Sequence, residues 1–526
     1  MFVKAFLSRV SSVALAMTIA WPAAADVVRI LTAPGGLAML SGTVVNVDDE
    51  FLTLNTKSGV VRIPRGAAHC EGDACPRSSA AVAVVTDPSE ASIVGSETIG
   101  SEVLLALIQA YAAREGATIQ MRLSSEERKL ITTLQASNGD ASSMKMGLDN
   151  SAAAFNQLLN GEASLALTTR QITDEEASAF ITAGLGDPRT SGRETVVALD
   201  ALVMAVAAEN AIDGMSLEDA VSIVAGRVSN WSEIGGDDAP IDLLLPSTTS
   251  EAYQGFADEI MRPLRLRPST TPSATLEKAD LAQQLSGNPA AIGLTMLSGI
   301  GTARAIPLQL ACGLVAQPNA FSVKAEDYPL TRRVFLYSRT ANAQGISGDF
   351  YRFATSPEGR AQFAALGYLD QSAEALGVEE QGVRFLSAIM AQSGGDDIEM
   401  LQAMASEILS AERLSTTFRF DSEGEALDSR GVLDIERLAN ILRSRPKDSE
   451  VILLGFTDNV GRSEINQLVA AERAESVRNQ LLSALGDHLS PENITSVGLG
   501  STAPIACNTD VSGRQANRRV EVWVKG

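Results

Sequence analysis

Two separate stretches of this chain alternate short β-branched runs with amphipathic helical runs, and that alternation leaves few architectures open. Over residues 80–370, Val82–Val85 and Val196–Val206 read as strands and Val103–Ala113 as a helix. This is the pattern of strands joined by crossover helices. From residue 414 a second α/β pattern starts. Strands fit Thr417–Phe420, Val451–Leu454, Ile494–Val497 and Arg519–Val524, and helices fit Gly431–Arg443 and Glu464–Leu485. The stretch 371–413 reads as a helical connector, broken at Ser393–Asp397. Residues 26–79 read as a small β module, with strands at Gly42–Val47, Phe51–Asn55 and Gly59–Ile63. The expected fold class is multi-domain α/β.

Residues 1–25 read as a signal peptide. Lys4 and Arg9 precede an apolar stretch at Val10–Ile19, and Ala23-Ala24-Ala25 gives a small-residue cleavage site before Asp26. The apolar stretch is short for a bilayer span, which needs about 20 residues. Export exposes the chain to an oxidising compartment. There Cys70 and Cys75, flanking a four-residue loop, read as a local disulfide, and Cys312 and Cys507, in different domains, read as lone thiols, with an interdomain disulfide as the alternative. The 526 residues carry 64 Asp and Glu against 42 Lys and Arg, a net charge of −22. Such a chain repels a phosphate backbone, so no nucleic-acid partner is expected. Only His69 and His488 occur, which argues against a histidine triad or a multi-histidine zinc site.

The C-terminal motifs are ordered. Gly455-Phe456-Thr457-Asp458-Asn459-Val460-Gly461 follows a strand. Asn466-Gln467-Leu468 and Ala471-Glu472-Arg473-Ala474 fall on the next helix. Gly498-Leu499-Gly500, Gly513-Arg514 and Asn517-Arg518-Arg519-Val520 complete the set. Over 414–526 this resembles the OmpA-like peptidoglycan-binding domain, an α+β sandwich. The resemblance implies that Asp458 and Arg473 grip the diaminopimelate of the stem peptide, the first pairing its ammonium and the second its carboxylate. It carries over Thr457 and Asn466 as polar contacts and Arg518 as a rim contact. Phe456 stands where the family often has His, and Val469 where it often has Ser.

In the middle stretch, Ile93-Val94-Gly95-Ser96-Glu97-Thr98 leads into an apolar helix. A hydroxyl at a helix N-terminus either seats an anion or caps the helix. Gly161–Arg170, Val197–Val203, Gly226–Gly236, Ala291–Leu294, Tyr328–Arg333 and Phe350–Tyr368 follow in order. Over 80–370 these resemble the periplasmic phosphate-binding proteins of ABC importers, PstS-like. The resemblance implies a two-lobed periplasmic-binding-protein fold of type II, an oxyanion in the cleft and an ABC permease as partner. It carries over Ser96, Thr98, Ser151, Arg170, Ser247, Thr248 and Thr249 as oxyanion contacts. Thr248 replaces the family's glycine in the Ser247–Thr249 loop, and Asn150–Ala154 replaces a glycine-rich loop by an alanine-rich one. Both changes remove close backbone approach to an anion.

No phosphate-binding P-loop, His-Glu-x-x-His or Gly-x-Ser-x-Gly pattern is present. The reading is of a non-enzyme without cofactor or metal. Two functions stay open. One is an exported solute-binding protein for phosphate or a related oxyanion, held in the periplasm against peptidoglycan and the outer membrane. The other is a wall-anchored structural or interaction protein whose lobes no longer bind phosphate.

Overall fold

The computed structural model describes five strands between residues 27 and 71 by their backbone, and residues 89–525 apart from 97–98, 125–128, 136–140, 191, 249, 273, 277, 392–394, 421–426 and 428. The signal-peptide reading and the Cys70–Cys75 pairing therefore lie outside the described residues. The chain divides into two compact units, Met1–Ala83 with Gly184–Gly186, and Val84–Ala183 with Asp187–Gly526. The first holds an antiparallel sheet of Gly59–Pro64, Phe51–Thr56, Gly36–Val47, Val27–Thr32 and Ala68–Glu71, in that spatial order. Two of its strands, Val27–Thr32 and Ala68–Glu71, go beyond the three the sequence suggested.

In the second unit one sheet runs through both lobes. Its organiser is Glu194–Val206, a strand of 13 residues that is almost wholly buried. Such a continuous apolar run suits a strand covered on both faces. Its first part pairs antiparallel with Thr331–Ser338, from Glu194↔Tyr337 to Ala201↔Thr331. Its last part pairs with Ala291–Met296, from Leu202↔Met296 to Val206↔Ile292. The partner changes between Ala201 and Leu202, so the lobes meet there. The first lobe adds Glu90–Ser96, parallel to both Leu165–Thr168 and Ala141–Asp149. Its core sets Leu104, Leu107 and Ile108 against Phe350, Phe353 and Phe363.

The C-terminal sheet orders Ala375–Gly377, Glu412–Arg419, Arg519–Lys525, Glu450–Phe456 and Ile494–Gly498. Alternation with period two divides its side chains between two faces. Val451, Leu453, Val520, Val522 and Val524 pack with Leu438, Leu442, Val477 and Leu481 of the helices Ser429–Arg443 and Ser463–Leu485. Ile452, Leu454, Phe456 and Trp523 pack with Ala388, Leu401, Met404 and Ile408. Those last four belong to the stretch expected as a connector. Its helices Gly382–Ala391 and Gly395–Ile408 cover the sheet's second face, and its strand Ala375–Gly377 extends the sheet.

Covering that face buries the charges on it. Arg519 and Glu521, on the same face as Trp523, are fully buried. Glu521 pairs with Arg519, Arg384 and Arg413. Arg413 reaches across to Asp327, with its Nη1 2.5 Å from Oδ2. The neighbouring Glu326 takes Arg333 at 2.6 Å and Arg430 at 2.5 Å, with Arg419 at 3.9 Å. Glu326 and Asp327 precede the strand Thr331–Ser338, whereas Arg413, Arg419 and Arg430 belong to the C-terminal domain. The cluster thus joins the two.

A covalent link joins them as well. Cys312 and Cys507 form a disulfide, with Cα atoms 5.7 Å apart. This corrects the expectation of two separate thiols. The partners lie 195 residues apart in two domains, so no local spacing signals the pair. The fold brings them together by docking the two domains.

Two outcomes follow for stability. Burial opposes ionisation of Glu326, but Arg333, Arg430 and Arg419 outweigh it and hold its carboxyl well below the usual carboxylate range. Its contribution is therefore complete above about pH 4.5 and is lost as the pH falls towards the folded-state value. Calorimetry should show a melting temperature that drops steeply below about pH 4.5, with a shallower acid limb for Glu326→Gln. Cys312→Ser should cost about 2–4 kcal/mol in denaturant titration. Adding a reductant should lower wild type by more than it lowers the variant.

Candidate functional sites

A cleft of about 1570 Å³ opens in the second unit. Ser96, at the end of its strand, lines one side and is buried. Ser151 stands beside it at the start of the helix Ser151–Asn160. The alanine-rich run that replaces the glycine-rich loop is thus a first helical turn. The Asn150 side chain caps it by accepting from the Ala153 N–H at 3.0 Å. Helix N-termini favour anions, through unsatisfied N–H groups and the dipole. The Ser151 and Thr169 hydroxyls lie 3.5 Å apart, and Arg170 follows.

Arg170 is held in a fixed pose. Its Nη1 and Nη2 donate to the two carboxylate oxygens of Glu176 at 2.8 and 2.7 Å. The guanidinium lies 5.1 Å from the centre of the Phe155 ring. Glu176 also closes a capping box with Thr173, accepting from its N–H at 2.9 Å. Burial opposes ionisation of Glu176, but Arg170 and Thr173 hold its carboxyl below the ordinary range. The Thr173-x-x-Glu176 spacing of a capping box is the local signal for this placement.

Of the residues carried over as oxyanion contacts, the cleft lining includes Ser96, Ser151 and Arg170. Thr98 and Thr249 lie outside the described residues. Ser247 and Thr248 are not part of the lining. Thr248 is exposed, and its carbonyl accepts from Gln254 Nε2 at 2.5 Å. That loop serves the short helix Glu251–Gly255, which Ser250 caps through the Tyr253 N–H. Other arginines in the lining are also tied to carboxylates. Arg189 pairs with Asp187 at 3.0 Å and Asp174 at 2.6 Å, and Arg332 with Glu259 at 2.8 Å. The C-terminal domain completes the wall with Arg419, Leu433 and Gln515, among others.

The second site lies on the C-terminal domain. Two glycines let the helix Ser463–Leu485 approach its sheet closely. A Cβ on Gly455 would stand 2.0 Å from the Ala470 carbonyl oxygen, and one on Gly498 would stand 2.4 Å from that of Gln467. The close approach brings Asn466 to the strand end, where its Nδ2 donates to the Asp458 carbonyl at 3.3 Å. Thr457, Asp458, Asn466 and Arg473 are all buried. The Asp458 carboxylate accepts from the Val460 N–H at 2.9 Å and from Arg518 Nη1 at 2.7 Å. Arg473 lies over the Phe420 ring, 5.3 Å from its centre.

Arg518, read from sequence as a rim contact, is therefore the cation that directly grips Asp458. Its Nε is buried with no hydrogen-bond partner among the described residues, as is Thr457 Oγ1. Both are unused polar atoms beside the Asp458 carboxylate. The site can offer acceptor and donor groups to a ligand that bears both charges. Val460, Ile465 and Leu468, all exposed, give it an apolar surround.

Residues 85–358 match a family model described as a PBP superfamily domain, and residues 419–518 match the OmpA family. Peptidoglycan-binding protein ArfA of Mycobacterium tuberculosis is 39% identical over 107 residues, 20% of this chain and 31% of that protein. Outer membrane porin F of Pseudomonas aeruginosa is 32% identical over 113 residues, 22% of this chain and 31% of that protein. The chain thus spans about a third of the curated relatives it matches. Among solved structures, an ABC-type phosphate transport receptor from Vibrio cholerae is 19% identical, with a TM-score of 0.39. It covers 53% of this chain and 99% of its own. No helix among the described residues is long and apolar enough to cross a membrane.

Gly455→Val should separate the helix from the sheet, costing about 1–3 kcal/mol by overpacking. Chemical denaturation reads that cost. The same variant should keep the near-ultraviolet circular dichroism signal of Trp523, which packs on the sheet's other face.

Proposed function

We propose, from the premise that this chain belongs to the PBP superfamily through residues 85–358 and carries an OmpA-family domain at 419–518, that it is an exported solute receptor held to peptidoglycan. The ligand of the lobes in this reading is phosphate or a related small oxyanion. What supports it is the meeting of Ser96, Ser151, Thr169 and Arg170 on one wall of the cleft, at a helix N-terminus. Hydroxyl donors, helix N–H groups and a fixed guanidinium suit the oxygens of a tetrahedral anion. Glu176 orients Arg170, whose side chain stays 39% exposed in the cleft lining. The periplasm is the compartment, and an ABC permease is the partner that would receive the solute.

The C-terminal domain is the anchor. Asp458 takes the ammonium of a diaminopimelate side chain, and Arg473 and Arg518 its carboxylate. The relative ArfA is named as peptidoglycan-binding, which supports this half. Val460, Ile465 and Leu468 would cover the apolar parts of the stem peptide.

A second reading rests on a specific observation. Ser247 and Thr248 stay off the cleft wall, and Arg170 is already engaged by Glu176. In that reading the lobes are a spacer or partner surface, and only the wall anchor is active.

Calorimetric titration of the full chain with phosphate, sulfate and molybdate separates the two. Saturable binding that Arg170→Ala weakens by about a hundredfold supports the receptor. Silence towards all three from the folded chain overturns it in favour of the spacer. For the anchor, sedimentation with diaminopimelate-containing peptidoglycan should pull down wild type. Asp458→Ala and Arg473→Ala should each stay in the supernatant. Co-sedimentation of both variants at the wild-type level would sink the anchor assignment.

A further inference from the structure

The ion pair of Asp458 and Arg518 stands inside the C-terminal site, so any ligand there has to meet it. Arg518 Nη1 lies 2.7 Å from Asp458 Oδ2, and the two side chains are only 12% and 13% exposed. The other carboxylate oxygen, Oδ1, accepts from the Val460 N–H at 2.9 Å. In so shielded a place, an ammonium that takes the Asp458 charge competes with Arg518 for it. The backbone on both sides of the pair is held. Asn517, fully buried, accepts from the Ile505 and Ala506 N–H groups at 2.9 and 3.1 Å and donates to the Ala506 carbonyl at 2.8 Å. Arg518 follows it, and the strand Arg519–Lys525 starts at the next residue. On the other side, Asn466 Nδ2 donates to the Asp458 carbonyl at 3.3 Å. The part free to turn is the long Arg518 side chain.

A displaced guanidinium needs another anion, because breaking a shielded pair leaves each charge uncompensated. Arg518 Nε is buried with no hydrogen-bond partner among the described residues. An unmet N–H of this kind is costly. A carboxylate that reaches the guanidinium as it turns from Asp458 gains a donor that no described protein group uses. An α-amino acid end carries an ammonium and a carboxylate on one carbon, so it meets both needs at once. Its ammonium replaces the guanidinium at Asp458, and its carboxylate replaces Asp458 at the guanidinium. An amine without a carboxylate strands Arg518. A carboxylate without an amine finds Arg518 already taken.

We propose that Arg518 is the specificity-determining residue of this site. It holds Asp458 in the unliganded protein and passes to the ligand carboxylate as the ligand ammonium takes Asp458. The exchange makes the site select a ligand end that bears both charges on one carbon. This rests on the reading of the C-terminal domain as a peptidoglycan anchor, and is independent of what the cleft between the lobes binds.

The test is calorimetric titration of the full chain with three probes. They are meso-diaminopimelate, 1,5-diaminopentane (the same molecule without its carboxylates) and pimelate (the same molecule without its amines). Wild type should bind diaminopimelate at least about tenfold more tightly than either of the others. Arg518→Gln leaves Asp458 without its cation. It should weaken diaminopimelate by about tenfold and tighten 1,5-diaminopentane by about the same factor. Asp458→Asn releases Arg518, and should weaken diaminopimelate while tightening pimelate. The two variants probe the exchange from opposite sides, so either one decides it if the other fails to fold. A merely structural role for Arg518 would weaken all three probes together. That outcome, or affinities unchanged in the variants, overturns the exchange while wild-type binding of diaminopimelate keeps the anchor. A wild type that binds neither diaminopimelate nor peptidoglycan overturns the anchor reading and the exchange with it.

Discussion

The arrangement of the second unit depends on two adjacent carboxylates. Glu326 and Asp327 sit just ahead of the strand Thr331–Ser338, and each collects guanidiniums from a different direction. Removing these charges from water costs several kcal/mol per ion. That cost is offset because Glu326 meets Arg333 and Arg430 at hydrogen-bond range, and Asp327 meets Arg413 there with Arg419 at 3.8 Å. An uncompensated partner would be worse than none, since losing one member of a buried pair costs about 3–5 kcal/mol. The cluster is thus a demanding way to join two domains. It tolerates one docking geometry, because any rotation would bury charges without their partners. The disulfide between Cys312 and Cys507 holds the same seam from another point.

Paired charge also shapes the cleft. Arg170, Arg189 and Arg332 each reach it already engaged by a carboxylate. Pairing takes away free positive potential but fixes the side chains. Arg170 shows the balance most clearly. Glu176 takes both of its terminal nitrogens, and the Phe155 ring supports the guanidinium. A ligand there meets a preorganised donor at low entropic cost, while competing with Glu176 for the same charge. Removing the Glu176 charge would free that positive charge and also loosen the pose.

Much of the architecture was legible because local pattern and tertiary position agree. The almost continuous apolar run Val196–Val206 reads as a buried strand, and the 13-residue strand Glu194–Val206 is one. The ordered motifs from Gly455 to Arg519 place the strands and helices of the C-terminal sheet where they stand. The illegible parts share a cause, which is contact between segments far apart in sequence. Arg519-Val520-Glu521-Val522-Trp523-Val524 alternates like a strand with one wet face. Its charged face is dry only because the helices Gly382–Ala391 and Gly395–Ile408 lie over it. Nothing local announces that. The disulfide is the same case across 195 residues. Arg518 could not be ranked against Arg473 as the partner of Asp458, because that choice turns on how a helix end meets a strand end.

The acidic composition bears on how these pieces work together. With a net charge of −22, the chain's surface potential repels small anions in general. Guanidiniums placed in the seam, the cleft wall and the C-terminal site are therefore local exceptions to the overall field. Their partners differ in kind. In the seam they are carboxylates of this chain, at most 14% exposed, so their attraction is little screened by salt. At Arg170 the guanidinium remains 39% exposed, so salt weakens its pull on an incoming anion. The same residue type thus fixes the domains where it is buried and stays open to exchange where water reaches it. Burial separates Arg170 from the arginines of the seam, whereas Arg473 and Arg518 at the C-terminal site are themselves shielded from water.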